Sequence, residues 1–369
     1  MVGALMDLIT LDANNQAEKL IENYDSLVWA ERYNTVGDFQ LVTGNVEEYM
    51  ELLPEGKVLS LRESNVPMIV ETHQIDRKKH EGAKLFIKGR SYESILDRRA
   101  SVQAVVAALS EWLVVAKIPS DVAHYIIYEI CVNGIADVAD TFPTSAVQFI
   151  TPADYLTSTG PNRQFTVSRG NLLQTVLSFL QTDAAPDTST TPDSPAVHAH
   201  GIRAMRPDSG GSAISIEIYS GTDKSEEVYF DATRELLDDG TYLFSKVGSA
   251  NTIYGVSATQ ALKLNRTTTL TGLDRRVIFH DSQSDNAEAL YGEAVRVMSD
   301  AHETALFNGS VNHDLSPYIY GIDFNLGDIV RTVGDYGLDE RARVTEYIRT
   351  EDATGSKAYP TLSSIPEYL

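Results

Sequence analysis

Leu326-Gly-Asp-Ile-Val330 is the stretch on which the fold reading turns. Gly327 supplies backbone freedom, Asp328 can accept from nearby amides, and Ile329 with Val330 begins an apolar run. The five residues therefore read as a tight turn feeding a strand, whose expected partner is 342–347. A unit of this kind fits many small β-folds, so its weight depends on what surrounds it.

Working back along the chain, 285–307 carries Leu290, Ala294, Val297 and Ala301 on one face. With Asp285 and Glu288 as a capping pair, it reads as a helix over about 287–307. Strands are expected at 242–247, 252–257, 262–268 and 276–280. Ile214, Ile216 and Ile218 alternate with polar residues and, after Gly221, meet 228–230, which reads as a hairpin with one buried face. The stretch 182–195 is dense in Pro, Asp, Ser and Thr and reads as a mobile loop. Before it, Leu172, Leu173, Val176, Leu177 and Leu180 make a short helix over 170–180 that Asn171 helps to cap.

Two helices are expected further upstream. Val102, Val105, Val106, Leu109, Trp112, Leu113 and Ala116 recur at three-and-four spacing, and Pro119-Ser120 ends that helix and caps a second over about 121–135. Cys131 lies in the apolar run of the second helix with Ile126, Ile127 and Ile130, as a small buried thiol does. The first hundred residues read as strands at 27–33, 39–43, 58–61, 68–74 and 84–88, with a short helix over 46–53 and turns at 34–38 and Glu81-Gly82.

The bulk numbers bound the function. At 369 residues the chain exceeds what one core usually organises. The 52 acidic against 30 basic residues give a formal charge of −22, which favours solubility and opposes sequence-dependent DNA binding. A single cysteine excludes a disulfide within the chain. Asp7 and the absence of a basic residue in 1–11 speak against a secretory signal, and no apolar run approaches the roughly 20 residues that span a bilayer. No membrane anchor is expected.

Taken in order, these signals resemble the tail-hub or minor tail protein family of siphophages of actinobacteria, related to baseplate hubs. The resemblance is carried by Tyr24-Asp-Ser-Leu-Val-Trp-Ala-Glu-Arg-Tyr33 with Gly37-Asp38-Phe39-Gln40-Leu41, and by Ile87-Lys-Gly-Arg-Ser-Tyr-Glu-Ser-Ile-Leu-Asp-Arg-Arg99. It continues through Ile216-Glu-Ile-Tyr-Ser-Gly-Thr-Asp223 with Val228-Tyr-Phe230, then Gly272-Leu-Asp-Arg-Arg276 through Asp281. It closes with Tyr320 to Arg331, Ala342-Arg-Val-Thr-Glu346 and Tyr359-Pro-Thr-Leu362, while 101–164 contributes little. The resemblance implies an α+β, mostly β chain of several small β-barrel-like domains with helical inserts. Four units are expected: an N-terminal β hub domain over 1–100, a helical insert over 101–145, a second β hub domain over 146–284, and the long helix with a small β-barrel-like unit over 285–369.

It further implies a structural hub of the tail tip rather than an enzyme, in the virion after assembly in the host cytoplasm. The implied partners are two further copies in a homotrimeric ring, the distal tail protein, the tape-measure protein and receptor-binding or fibre proteins. DNA would pass through without specific binding, and an acidic lumen would keep it from sticking. A host-surface module binding cell-wall glycan and a cell-wall-degrading enzyme are the alternatives.

The residues that could carry chemistry each have a plainer reading. His198 and His200 share a strand side and could hold a metal only with further ligands, so they read as exposed histidines beside a loop. Asp238 with Asp239, or Asp137 with Asp140, have the makings of a glycosidase pair, but Asp238-Asp239-Gly240 reads as a turn. Arg98-Arg99 and Arg275-Arg276 each follow an acid, Asp97 and Asp274, and read as ion-pair or subunit contacts. Trp29, Tyr33 and Phe39 could stack on a sugar, but on alternating strands they read as core. No catalytic residue, cofactor or metal is assigned.

Overall fold

The structure, a computed structural model, describes residues 6–78, 82–103, 112–116, 118–150, 163–180, 200–207, 211–265, 271–282, 287–301, 304–311, 316–334 and 339–364. β1 (Leu8–Leu11) and β2 (Ala17–Ile21) pair antiparallel. β3 (Ser26–Arg32) and β4 (Asp38–Thr43) form the expected hairpin, with Ser26 opposite Val42 and Ala30 opposite Asp38. α1 (Val46–Leu52), β5 (Val58–Leu61), β6 (Pro67–Lys78) and β7 (Gly82–Ser91) fall where the sequence places them. Period-two alternation puts Leu27, Trp29, Phe39, Leu41, Leu85 and Ile87 into one core, which also takes Tyr49 of α1.

The middle of the chain departs from expectation. Trp112–Ala116, read as the end of a helix, is strand β8, because Trp112 and Val114 are buried while Leu113 and Val115 face out. That is a period of two, and the β-branched Val114 and Val115 suit it. Residues 104–111 of the same expectation lie outside the described residues. α2 (Pro119–Cys131) follows, with Pro119 at its first position and Ile118 as the cap residue, so Ser120 is not the cap. β9 (Val147–Ile150) and β10 (Arg163–Val167) precede α3 (Leu172–Leu180), whose first turn is capped by Asn171 accepting from the Gln174 N–H at 3.1 Å. Ile126, Ile130 and Cys131 of α2 share a core with Leu172 and Val176 of α3.

β11 (Gly201–Met205) and β12 (Ile214–Tyr219) form an antiparallel pair, and β9 joins β12 in parallel. The hairpin expected between 214–219 and 228–230 does not form. Lys224 donates its N–H to the Ile329 carbonyl at 2.8 Å, which turns the chain away from β12. β13 (Tyr229–Asp231) consequently pairs with β19 (Ile329–Val333). β14 (Leu237–Ser245) absorbs Asp238-Asp239-Gly240 within a strand whose register shifts at that point, in place of the expected turn.

β15 (Thr252–Val256), β16 (Ala261–Asn265) and β17 (Val277–Asp281) make a separate three-stranded sheet, with β15 at its centre. α4 (Ala287–Asp300) covers one side of it through Ala294 and Met298 against Ile253. This helix is shorter than expected, because Thr304–Val311 is strand β18, antiparallel to β14. β20 (Asp339–Asp352) and β21 (Gly355–Ser364) close the chain as a long hairpin. The proposed cap residue Asp285, the turn at Glu81 and the loop 182–195 lie outside the described residues.

The fold is α+β and mostly β. Its largest sheet has eleven strands in the order β13-β19-β20-β3-β4-β7-β6-β5-β1-β2, with β21 attached to β20. Among the described residues the sheets are open and no barrel closes, which sharpens the barrel-like expectation. No helix among them is long and apolar enough to cross a membrane.

Candidate functional site

β20 pairs with two strands along one edge, within the one large sheet. Its residues 339–343 pair with β19, its residues 346–351 pair with β3, and β21 runs along the opposite edge from Ala342 to Asp352. The changeover falls at Val344 and Thr345. There the Gly327 N–H donates to the Val344 carbonyl at 2.8 Å, Val344 donates back to Asp328 O at 2.9 Å, and the Tyr33 N–H donates to Thr345 O at 2.9 Å. This splice joins the first strands of the chain to the last.

The Gly327-Asp328 turn is shaped for that place. Gly327 has φ +90°, and a Cβ there would stand 2.2 Å from the Tyr33 ring. Gly221 approaches the same turn so closely that its own Cβ would meet the Gly327 carbonyl carbon at 2.0 Å. Only glycine serves at either position. Asp328 is buried, and its carboxylate accepts from the Thr222 N–H at 2.7 Å and the Asn325 N–H at 2.8 Å. Arg343 donates to the Gly327 carbonyl at 2.8 Å and lies over the Tyr33 ring, with burial holding its pKa below the usual guanidinium range.

Tyr33 is the pivot. Fully buried, it accepts from the Gly221 N–H through its hydroxyl at 3.3 Å, meets Tyr219 edge-on at 5.2 Å, and takes the Ile202 N–H on its carbonyl at 3.1 Å. It thus touches β11, the end of β12 and the Gly327 turn at once.

Beside the splice, Glu31 of β3 is buried and bonded to the Arg349 guanidinium of β20. Tyr320 donates to the same carboxylate at 3.2 Å and stacks on Tyr347 at 3.8 Å between centroids, and Arg349 lies over the Tyr347 ring at 4.6 Å. Burial lowers the Arg349 pKa, but the neighbouring Glu31 charge overcomes it and the net direction is upward. Burial, then Glu31, pushes Tyr320 well above the usual phenol range. Arg32 faces the other way, pairing with Asp38 and, at 2.6 Å, with Glu346.

A cavity of ≈ 40 Å³ opens here, lined in part by Glu31, Ser91, Glu93, Arg203, Tyr219 and Tyr320. Burial pushes the Glu93 carboxyl up to about 7, against hydrogen bonds from Ser91 Oγ and from the Ala204 N–H at 3.2 Å. A space of that size holds a few waters and no sugar ring. Both acids lining it already accept bonds, so the arrangement ties strands together and lacks the room of a two-carboxylate hydrolase.

The residues singled out from sequence go elsewhere. Trp29 and Phe39 stack at 5.6 Å inside the core, and with Tyr33 they present no ring to a sugar. Asp137 caps a short turn by accepting from the Ala139 N–H at 2.9 Å, and Asp140 lies 3.7 Å from Arg99. Asp97 pairs with Arg90 at 3.0 Å, Arg98 reaches Glu71 at 3.9 Å, Arg275 donates to the Tyr254 hydroxyl at 3.3 Å, and Arg276 donates to the Lys246 carbonyl. Each pair is thus engaged within the fold, although not with the acid beside it in sequence. His200 donates its N–H to the Leu180 carbonyl at 3.2 Å, and His198 lies outside the described residues. Sequence reading missed Glu31, Glu93, Tyr320, Tyr347 and Arg349. The one available signal was a Glu inside the apolar run Trp29-Ala-Glu31.

Against known proteins, the profile of the family described as Siphovirus ReqiPepy6 Gp37-like protein matches residues 8–362. No curated protein matches the chain. Among solved structures it is similar to a tail protein from Neisseria meningitidis MC58, with TM-score 0.57, 12% identity, and coverage of 97% of this chain and 96% of the other. It is similar to the prophage tail protein gp18 from Listeria monocytogenes EGD-e, with TM-score 0.56, 13% identity, and coverage of 98% and 95%. It is also similar to the 43 kDa tail protein of prophage MuSo2 from Shewanella oneidensis, with TM-score 0.55, 11% identity, and coverage of 99% and 100%. At these identities the likeness is one of fold.

Proposed function

The chain belongs to the Siphovirus ReqiPepy6 Gp37-like protein family, and from that premise we propose that it is a structural hub of the phage tail tip. In this reading three copies form a ring that joins the tail tube and distal tail ring to the tip and lets DNA pass during ejection. The segments 1–100, 101–145, 146–284 and 285–369 are its successive units. Its partners are the distal tail protein, the tape-measure protein and the receptor-binding or fibre proteins, and its place is the virion, after assembly in the host cytoplasm.

The observation that carries the reading is the splice on β20 within a tail-protein fold that extends over nearly the whole chain. A part that transmits force along a tail needs its first and last segments locked into one body. Here the lock is a continuous ladder with a buried ion pair and stacked rings beside it. The charge of −22 supports the passage of DNA, since a surface rich in carboxylates repels phosphate.

Reconstruction of the assembled tail tip tests the proposal. Three copies around the axis, below the distal ring, are expected, and a single copy off the axis would overturn it. Incubation of the purified protein with labelled peptidoglycan addresses the enzymatic alternative, with no released fragments expected under several metal conditions.

A further inference from the structure

The sheet of β15, β16 and β17 has one face covered and one bare. Ile253, Leu262 and Ile278 pack toward α4, so alternation turns Tyr254, Lys263 and Phe279 to the opposite face. Those three stand in register across the sheet, Lys263 opposite Tyr254 and Tyr254 opposite Phe279. Phe279 is 66% exposed and Val277, one row away, 49%. At the end of the sheet where β15 and β17 begin, two entering loops expose Val247 at 88% and Leu273 at 102%. These loops are tied together, since the Asn251 side chain donates to the Asp274 carbonyl at 2.8 Å. Scattered exposed apolar residues are ordinary, but a contiguous set on an ordered sheet face marks an interface.

Charge indicates what fits. Residues 246–281 hold Lys246, Lys263, Arg266, Arg275 and Arg276 against two acids, Asp274 and Asp281, in a chain of net charge −22. An acidic surface with some apolar area is the complement, and this chain supplies one. α1 and the turn after it hold Glu47, Glu48, Glu51 and Glu55 before the first cation, Lys57, and Met50 of α1 is 41% exposed among them.

We propose that the bare face of β15, β16 and β17 docks on the acidic α1 face of a second copy of this chain. Two different patches meeting head to tail make a heterologous contact, which closes into a ring when the rotation allows. The aliphatic Val247, Leu273 and Val277 favour a protein surface over a polysaccharide, which would use the rings alone. The inference rests on the ring reading and names the contact within it.

The test is sedimentation of the full chain up to about 200 µM, a range that detects weak self-association. Wild-type protein should associate, more weakly at high salt. Phe279→Asp should weaken association at least about tenfold with an unchanged melting temperature. A Lys263→Glu/Arg275→Glu chain should lose self-association and regain pairing when mixed with a Glu47→Lys/Glu48→Lys/Glu51→Lys chain. Association unaltered by Phe279→Asp would overturn the proposal and leave a ring built through another surface. Wild-type protein that stays monomeric would also overturn it, as would a bare face that retains a short oligonucleotide or an anionic wall glycan instead. The ring reading stands or falls separately, on the copy number in the reconstructed tail tip.

Discussion

The splice on β20 and the sheet of β15, β16 and β17 solve opposite problems. At the splice, the buried carboxylates have partners supplied by the same chain, a hundred residues or more away: Glu31 with Arg349, Asp328 with Thr222. In the small sheet the core is thin, with Ile253, Ala294 and Met298 its buried members, and aromatic and aliphatic side chains on the other face meet solvent. The contrast separates what the chain completes by itself from what it leaves for a neighbour. Buried charge is costly unless it is paired, so the pairing of Glu31 and Asp328 marks a structural lock. A bare apolar face costs little in an isolated chain and gains its value on contact.

Substitutions should widen this contrast, with large losses at the splice and small ones on the sheet. The largest is expected for Gly327→Ala, which sets a Cβ against Tyr33 at a positive φ and should cost about 4 kcal/mol or prevent folding. Thermal or urea unfolding measures it. Next, Arg349→Met leaves the Glu31 carboxylate buried without its cation and should cost about 3 kcal/mol, while the double variant with Glu31→Gln should recover much of that.

Glu93 follows. Its folded-state pKa of about 7 lies above the ordinary 4.5, so its contribution is fully present below about pH 4.5 and is lost as pH rises through 7. Wild-type protein should therefore lose on the order of 2 kcal/mol relative to Glu93→Gln between pH 4.5 and 8.5, a slope that unfolding curves across that range will show or deny. The smallest effect belongs to Phe279→Ser, which should stay within about 0.5 kcal/mol of wild type in the monomer. A loss there as large as that of a core phenylalanine such as Phe230 would break the comparison.

Local elements were legible where one period ruled without competition. The hairpin of β3 and β4, α1, β5 and α3 follow from alternation, caps and turn residues within a few positions of each other. Reading failed where two periods fit the same residues. Trp112, Leu113 and Ala116 match a helix face as well as they match β8, and the arbitration came from Phe165 and Val167 on β10, about fifty residues on. It failed again where a partner was remote: Val228 to Phe230 looked like the return strand of a local hairpin until Ile329 drew the chain away. The Gly327-Asp328 turn was visible as a turn feeding β19. Its contact with Tyr33 was not, because nothing in a single sequence records which residue almost three hundred positions earlier will lie beneath a glycine.

The order in which the chain is made gives the β20 splice one more consequence. β3 is complete within the first tenth of the sequence, yet the strand that covers its outer edge begins at Asp339. During synthesis that edge stands open while most of the chain emerges, and contacts of such long sequence separation form late and slowly. An open edge invites pairing with any passing strand. Nascent chains of this protein should therefore depend on dilution or on a chaperone, and truncations that end before Asp339 should aggregate rather than persist as a smaller soluble domain.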